Sequence, residues 1–223
     1  MVALWGNNSE KSEVKIAILY ICTGEYSCFW DAFYRSAETY FCRKSEKHYF
    51  VFTDSSQISS VDRITVLHQD NFGWPLNTLY RFRAFLRVRE SLFDYDWVVF
   101  FNANCEFKME IGELEFFGED KSLLACIHPG YYNKDKDRYP YEKRTESTGY
   151  VENFVKYFPG GLMGGKPEPF MSVCAQLKDN IETDFDNGIM AIWHDESHWN
   201  AYINNNFESL SKNLQVLCLL HHI

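Results

Sequence analysis

Three apolar runs in this chain stop abruptly on side chains able to bind or to attack. Residues 97–101 end in Asn102-Ala103-Asn104, residues 123–127 in His128-Pro129-Gly130, and residues 189–193 in His194-Asp195-Glu196. The first end offers two amides, which donate and accept hydrogen bonds without adding charge. The third offers adjacent carboxylates at the start of a predicted helix, where exposed backbone amides and the macrodipole favour anions. Both are therefore expected to stay ionised at neutral pH. An ionised carboxylate in a cleft can attack an electrophilic carbon or stabilise a cationic one. Taken singly, the asparagines would serve as a turn leaving a strand and Asp195 as a helix cap. The convergence of three such ends on one sheet edge is what favours a site. His194 and His198, spaced i, i+4, also invite a zinc reading. Asp195 stands where H-E-x-x-H requires the Glu, so a zinc hydrolase is the weaker alternative and His198 reads better as structural.

Positioning these side chains requires a sheet with flanking helices. Residues 97–101, Trp-Val-Val-Phe-Phe, have the uninterrupted apolar character of a strand buried on both faces in a parallel sheet, whose ligands sit beyond the carboxyl ends. Residues 15–22, 48–53 and 64–67 read as further strands, and residues 123–127 and 189–193 complete the set. Apolar spacing of three and four predicts helices over 27–43, 77–92 and 168–180, and a last helix carrying Trp199, Tyr202 and Ile203. The helix over 77–92 bears four arginines, of which Arg81 lies in the early turns nearest the sheet edge. Gly24 permits a tight turn after the first strand. Residues 133–149 read as a long surface loop. Residues 157–165 contain four glycines among apolar residues, which suggests a pocket wall from which side-chain bulk is excluded.

With 223 residues, 46% of them hydrophobic, the chain can bury one sizeable α/β core. A net charge of −9 argues against nucleic acid as a partner. Seven cysteines without a C-x-x-C pair suit reduced thiols better than a disulfide framework. No apolar run is long enough to span a membrane, and the first residues lack the pattern of a signal peptide, so a cytoplasmic setting is expected. Residues 1–13 read as a flexible leader and 14–223 as the folded domain. No signal bears on oligomeric state.

The segment Trp193-His-Asp-Glu-Ser-His198, with Asn200 and Tyr202 after it, resembles glycosyltransferase family 6, the histo-blood-group A/B transferases and their α-1,3-galactosyltransferase relatives. Residues 21–26, 74–81, 101–107, 128–132, 139–144 and 157–165 agree with the same family in the same order. The resemblance covers residues 15 to 203. It implies a GT-A fold with a mixed, mostly parallel central sheet. It also implies retaining transfer of N-acetylgalactosamine or galactose from a UDP-sugar to the 3-hydroxyl of a β-galactoside, including fucosylated, histo-blood-group-like acceptors. By position, Ile21, Cys22, Thr23 and Tyr26 would hold uridine, Arg81 the diphosphate, and Ala103 the ribose. His194 and Asp195 would contact the donor sugar, and Pro159, Gly160 and Gly161 would form the donor-selective wall. Glu196 matches the catalytic carboxylate, which also borders the acceptor beside His128 and Trp193.

Asn102 and Asn104 take the places of two metal-binding aspartates. Hard divalent cations want anionic oxygens, so replacing both carboxylates by amides implies an enzyme without a metal cofactor, as in the similar bacterial and phage members with Asn-x-Asn. Mn²⁺ is the alternative cofactor. The diphosphate would then be met by Arg81, backbone amides and a lysine such as Lys134 or Lys143. Leu76 and Pro140 also depart from the family pattern. Where relatives continue into an S-P-E-Y or S-P-A-Y segment and a basic tail, this chain reads Leu217-Cys-Leu-Leu-His-His-Ile223. That departure keeps open an inactive sugar-nucleotide or glycan-binding relative.

Overall fold

The computed structural model describes residues 13–219. Of the expected leader only Glu13 falls within that range, and the end of the apolar tail, residues 220–223, lies outside the described residues. The first strand, β1 (Lys15–Ile21), is followed by a 3-10 turn (Gly24–Phe29) and helix α1 (Trp30–Tyr40). Strands β2 (Glu46–Thr53) and β3 (Ile64–His68) follow, then three short helices, α2 (Leu76–Leu79), α3 (Arg81–Leu86) and α4 (Arg89–Leu92). After β4 (Trp97–Asn102) come α5 (Glu113–Phe117), β5 (Leu123–Cys126) and β6 (Leu162–Gly165). Helices α6 (Pro167–Asp186), α7 (His194–Asn205) and α8 (Phe207–Leu210) lead to β7 (Leu214–Leu217).

Among the described residues these strands form one sheet in the order β3-β2-β1-β4-β6-β5-β7. β1 runs parallel to β2 and β4, β2 to β3, and β5 to β7, while β6 lies antiparallel between β4 and β5. The mixed, mostly parallel sheet expected from the sequence is therefore present. β4 shows why its sequence lacks alternation: Val99 and Phe101 pack with Phe33, Phe41 and Phe116 on one face, and Val98 and Phe100 pack with Phe85, Phe170 and Trp199 on the other. Two covered faces require apolar residues at every position.

Several element assignments are corrected. The helix expected over 77–92 is three short pieces, because Tyr80 and Val88 leave the helical region, with φ/ψ of −87/5° and −112/11°. The first break turns Arg81 inward, where it is buried, instead of leaving it on a solvated face. The strand expected over 189–193 does not form. Its backbone is satisfied by side chains and a helix end instead: Ile192 N donates to Glu142, Met190 O accepts from Arg144, and Ile189 N donates to Asp184 O. The helix expected to end at Asn180 continues to Asp186, and the one expected from Ser27 begins as a 3-10 turn. The loop over 133–149 is not all surface, since Tyr139 and Tyr141 are buried in an aromatic cluster with Tyr157. All seven cysteines are free, four of them buried.

Close packing explains the glycines at the end of β6. A Cβ on Gly164 would collide with the Val98 carbonyl, and one on Gly165 with the Ser122 carbonyl. Both obstacles are backbone, which cannot rotate away. Gly164→Ala is expected to cost about 3 kcal/mol of folding stability in urea unfolding. A loss below about 0.5 kcal/mol would show that the two strands separate freely at this point.

Candidate active site

The carboxyl ends of β1 and β4 open onto a cleft of about 510 Å³, a size suited to a small-molecule ligand. Ile21, Thr23 and Tyr26 line one side, Arg81 the floor, and Asn102 and Ala103 the end of β4. Cys22 lies behind this wall, fully buried, with its carbonyl accepting a hydrogen bond from Thr53 Oγ1 at 2.6 Å. Trp74, three-quarters exposed, stands at the rim and meets the His194 ring edge-on with centroids 4.8 Å apart. His194 itself has a φ of +53°, a backbone conformation unusual for a residue with a side chain. It starts α7 and turns the next two carboxylates toward the sheet.

Asp195 and Arg81 form a buried ion pair, Oδ2 to Nη1 at 2.6 Å, and the same Arg81 nitrogen donates to the Gly160 carbonyl. The guanidinium lies over the Phe100 ring, 4.4 Å from its centroid, while its Nε–H has no partner among the described residues. The neighbouring Glu196 has both oxygens held: Oε1 accepts from the Tyr157 hydroxyl at 2.5 Å and Oε2 from Gly160 N at 2.7 Å. One residue on, Gly161 O accepts from Asn102 N at 2.8 Å. Gly160 and Gly161 thus tie the carboxylates of α7 to the backbone at the end of β4, and the two clusters share one rim. A Cβ at Gly160 would come within 3.0 Å of Asp195 Oδ2 and 3.2 Å of Arg81 Nη1, so this position has little room for a side chain. Pro159 precedes it, half-buried.

The approach of this bend is fixed by residues that the sequence reading did not single out for the purpose. Asn200 grips the backbone of Phe158 from both sides, accepting from its N–H at 2.9 Å and donating to its carbonyl at 2.7 Å. One turn later Asn204 accepts from the N–H groups of Val155 and Lys156 and donates to the Lys156 carbonyl. Their i, i+4 spacing was the available signal, because it places two amides on one helix face. Glu142 is the other omission. It accepts from the N–H groups of Lys143, Arg144 and Ile192 and from the Arg144 guanidinium, which holds its pKa down to about 2. It thereby sets the path of the residues that enter α7.

Burial opposes the helix end at these two carboxylates. Asp195 is 4% exposed, and burial pushes its pKa up to about 6 against the pull of Arg81. Burial also raises Glu196, opposed by its bonds from Tyr157 and Gly160. Desolvation therefore outweighs the helix end, whose influence is usually a fraction of a kcal/mol up to about 2. Asp195 remains mostly ionised at neutral pH, but with a smaller margin than an exposed acid.

The remaining predicted residues fall as follows. His128 Nδ1 accepts from Gly130 N at 3.0 Å, and its ring packs against Tyr131 and Tyr157, on the Glu196 side of the cleft. Trp193 is half-exposed at the entrance to α7, its N–H donating to Ser197 Oγ. His198 is buried: Nδ1 lies 3.2 Å from Thr148 Oγ1, Nε2 faces Asp184 at 3.8 Å, and burial lowers its pKa. The zinc reading loses its second imidazole to these contacts, and among the described residues no group of three or more His, Cys, Asp or Glu could hold a metal ion. Lys134 lies over the Tyr131 ring, and neither it nor Lys143 lines the cleft. At the end of β4, Asn102 Nδ2 donates to Asn104 Oδ1 at 2.8 Å. Neutral amides, one of them already donating into the other, do not fit a hard divalent cation.

Known proteins similar to this chain fall in one family. The family model described as Glycosyltransferase family 6 matches residues 3–214. The O-antigen biosynthesis glycosyltransferase WbnI of Escherichia coli is 39% identical over 191 residues, covering 84% of this chain and 81% of that protein. Globoside alpha-1,3-N-acetylgalactosaminyltransferase 1 of Gallus gallus is 30% identical over 84% of this chain. Histo-blood group ABO system transferase 1 of Rattus norvegicus is 27% identical, also over 84%. The chain spans 57% and 56% of the length of these two animal proteins. The near-complete family match, the bacterial relative and the mixed sheet with its polar rim lead to one assignment: the chain belongs to glycosyltransferase family 6 and has a GT-A-like α/β fold.

Proposed function

We propose that this protein transfers N-acetylgalactosamine or galactose from a UDP-sugar to the 3-hydroxyl of a β-galactoside, with retention at the anomeric carbon and without a metal ion. The observation that carries the reading is the shared rim: a backbone pair, Gly160 and Gly161, joins Glu196 to Asn102. In this reading Ile21, Thr23 and Tyr26 hold uridine against the wall backed by Cys22, and Ala103 touches ribose. The diphosphate meets Arg81, whose Nε–H is an unpaired buried donor, and the amide NH₂ groups of Asn102 and Asn104. His194 and Asp195 face the donor sugar, and residues 159–161 limit its size. Glu196 presents an anionic oxygen to the anomeric carbon as the bond to the diphosphate breaks, by covalent bonding or by charge alone. His128 and Trp193 border the acceptor, whose 3-hydroxyl supplies the new oxygen.

Metal-free action is supported by the chemistry of the amide pair, and a charged side chain inside the cleft does the work that a cation would otherwise share. A glycan acceptor is supported by the relatives, among them an O-antigen biosynthesis glycosyltransferase and a globoside alpha-1,3-N-acetylgalactosaminyltransferase. No helix among the described residues is long and apolar enough to cross a membrane.

Three outcomes are expected from a panel of UDP-sugars offered with fucosylated and unfucosylated galactosides. Turnover in excess chelator should equal turnover without it; loss that Mn²⁺ restores would overturn the metal-free reading. Glu196→Gln should lower kcat by at least about 10³-fold while UDP affinity in calorimetry stays within about threefold. Near-normal turnover in that variant would remove Glu196 from the reacting centre. Because burial raises the pKa of both carboxylates, activity should fall as pH drops through about 6, where Asp195 takes up a proton and weakens its hold on Arg81. An acid limb of kcat/KM at or below 4.5, the ordinary value for Glu, would contradict this assignment.

A further inference from the structure

We propose that Tyr157 is the positioning residue for Glu196, anchoring one carboxylate oxygen so that the group keeps a single orientation toward the donor sugar. The inference rests on the placement of Glu196 at the reacting centre. A glutamate carboxylate, at the end of three rotatable bonds, needs two fixed contacts to define its plane. Here those contacts are the Tyr157 hydroxyl at 2.5 Å and Gly160 N at 2.7 Å, one to each oxygen.

The phenol is itself immobilised. Tyr157 is 2% exposed, and its ring is enclosed by Tyr131, Tyr141, Tyr139 and His128, with centroids 5.0, 5.4, 6.1 and 5.6 Å away. Its carbonyl accepts from His128 N at 2.9 Å, and the next residue, Phe158, is gripped by Asn200. The ring therefore has nowhere to move, and its hydroxyl is the one polar point it offers. Of the four tyrosines in this nest, Tyr157 is the one bonded to the carboxylate. Burial and the adjacent carboxylate push the phenol pKa upward, so it stays a donor throughout the working range.

The same contact sets the charge state of Glu196. The groups facing it are Arg81 from α3, Asp195 from its own helix, Tyr157 and Gly160 N from the incoming bend, and His128 beyond the Tyr157 ring. Arg81 is already engaged by Asp195 and the Gly160 carbonyl. The Tyr157 hydrogen bond is thus the side-chain donor that favours ionised Glu196 against the effect of burial. Without it, the carboxylate would lose both its orientation and part of its stability as an anion.

Glutamate labelled with ¹³C at the carboxyl carbon reads the effect directly, with the Glu196 resonance assigned by its loss in Glu196→Gln. In Tyr157→Phe, which keeps the ring and removes only the hydroxyl, the Glu196 titration midpoint should rise by about one pH unit. In the transferase assay kcat should fall about 30-fold, with donor KM changed less than about threefold. Placing 3-fluorotyrosine at position 157, a more acidic donor of nearly the same shape, should move the midpoint the other way, and this variant carries the test should the Phe variant fold poorly. An unchanged midpoint in both variants would overturn the proposal whether or not the protein turns over substrate. So would a kcat equal to that of the parent protein. Turnover that survives Glu196→Gln would instead overturn the placement of Glu196 at the reacting centre, which the NMR titration of Tyr157→Phe does not depend on.

Discussion

A single guanidinium nitrogen, Arg81 Nη1, reaches both Asp195 Oδ2 and the Gly160 carbonyl, and the geometry of the cleft depends on that shared contact. Arg81 comes from α3, Asp195 from α7, and Gly160 from the bend before β6, so one cation joins three parts of the chain remote in sequence. Burying a guanidinium and a carboxylate is costly unless each finds hydrogen bonds in good geometry. Here the aromatic face of Phe100 receives the flat side of the cation, and the carbonyl and carboxylate take its edge. Removing either charge alone would strand the other in a dry site, which is why the pair holds the assembly together more than its own net energy would suggest.

Around that contact, backbone satisfaction does much of the positioning. Residues 155–160 are held by the side-chain amides of Asn200 and Asn204 and by the bonds to Glu196 and Arg81. Residues 190–192 are held by Glu142 and Arg144. Both segments lack strand partners, and buried backbone groups that lack them must be met some other way. The side chains that meet them are the ones that bring the bend and the start of α7 to each other. A rigid sheet supplies the floor, and side-chain clamps supply the aim.

Much of this was legible in the sequence, for identifiable reasons. The apolar runs of β1, β2 and β4 are buried on both faces and could hardly be read otherwise, and the polar end of β4 gave Asn102, while Glu196 came from the polar end of the run 189–193. The rim itself was not readable from local pattern, since contacts such as Arg81 with Asp195 span 114 positions. Residues 189–193 look like a strand because a short continuous apolar run is all that local pattern reports, whereas the buried acceptor Glu142, 50 positions away from Ile192, decides their path. The helix over 77–92 is interrupted at Tyr80 and Val88, two residues whose non-helical backbone no local propensity marks. The raised pKa of Asp195 was not legible for a similar reason: helix position is visible in sequence, and burial is not. Tyr157 reads as one aromatic residue among many until its hydroxyl is seen on Glu196.

The antiparallel strand β6 carries a consequence for how this scaffold can diversify. Its last two residues press against neighbouring main chain on either side, with Gly164 against β4 and Gly165 against the start of β5. No bulkier residue can enter there without prising the sheet open, so the strand behaves as a fixed ruler. Three residues upstream the contacts are milder, and at Gly161 a methyl group would meet the Asn102 side chain, its Cβ at 3.3 Å and its Cγ at 4.0 Å. Variation that leaves the sheet intact is therefore confined to the loose end of this segment, while the tight end resists every added side chain.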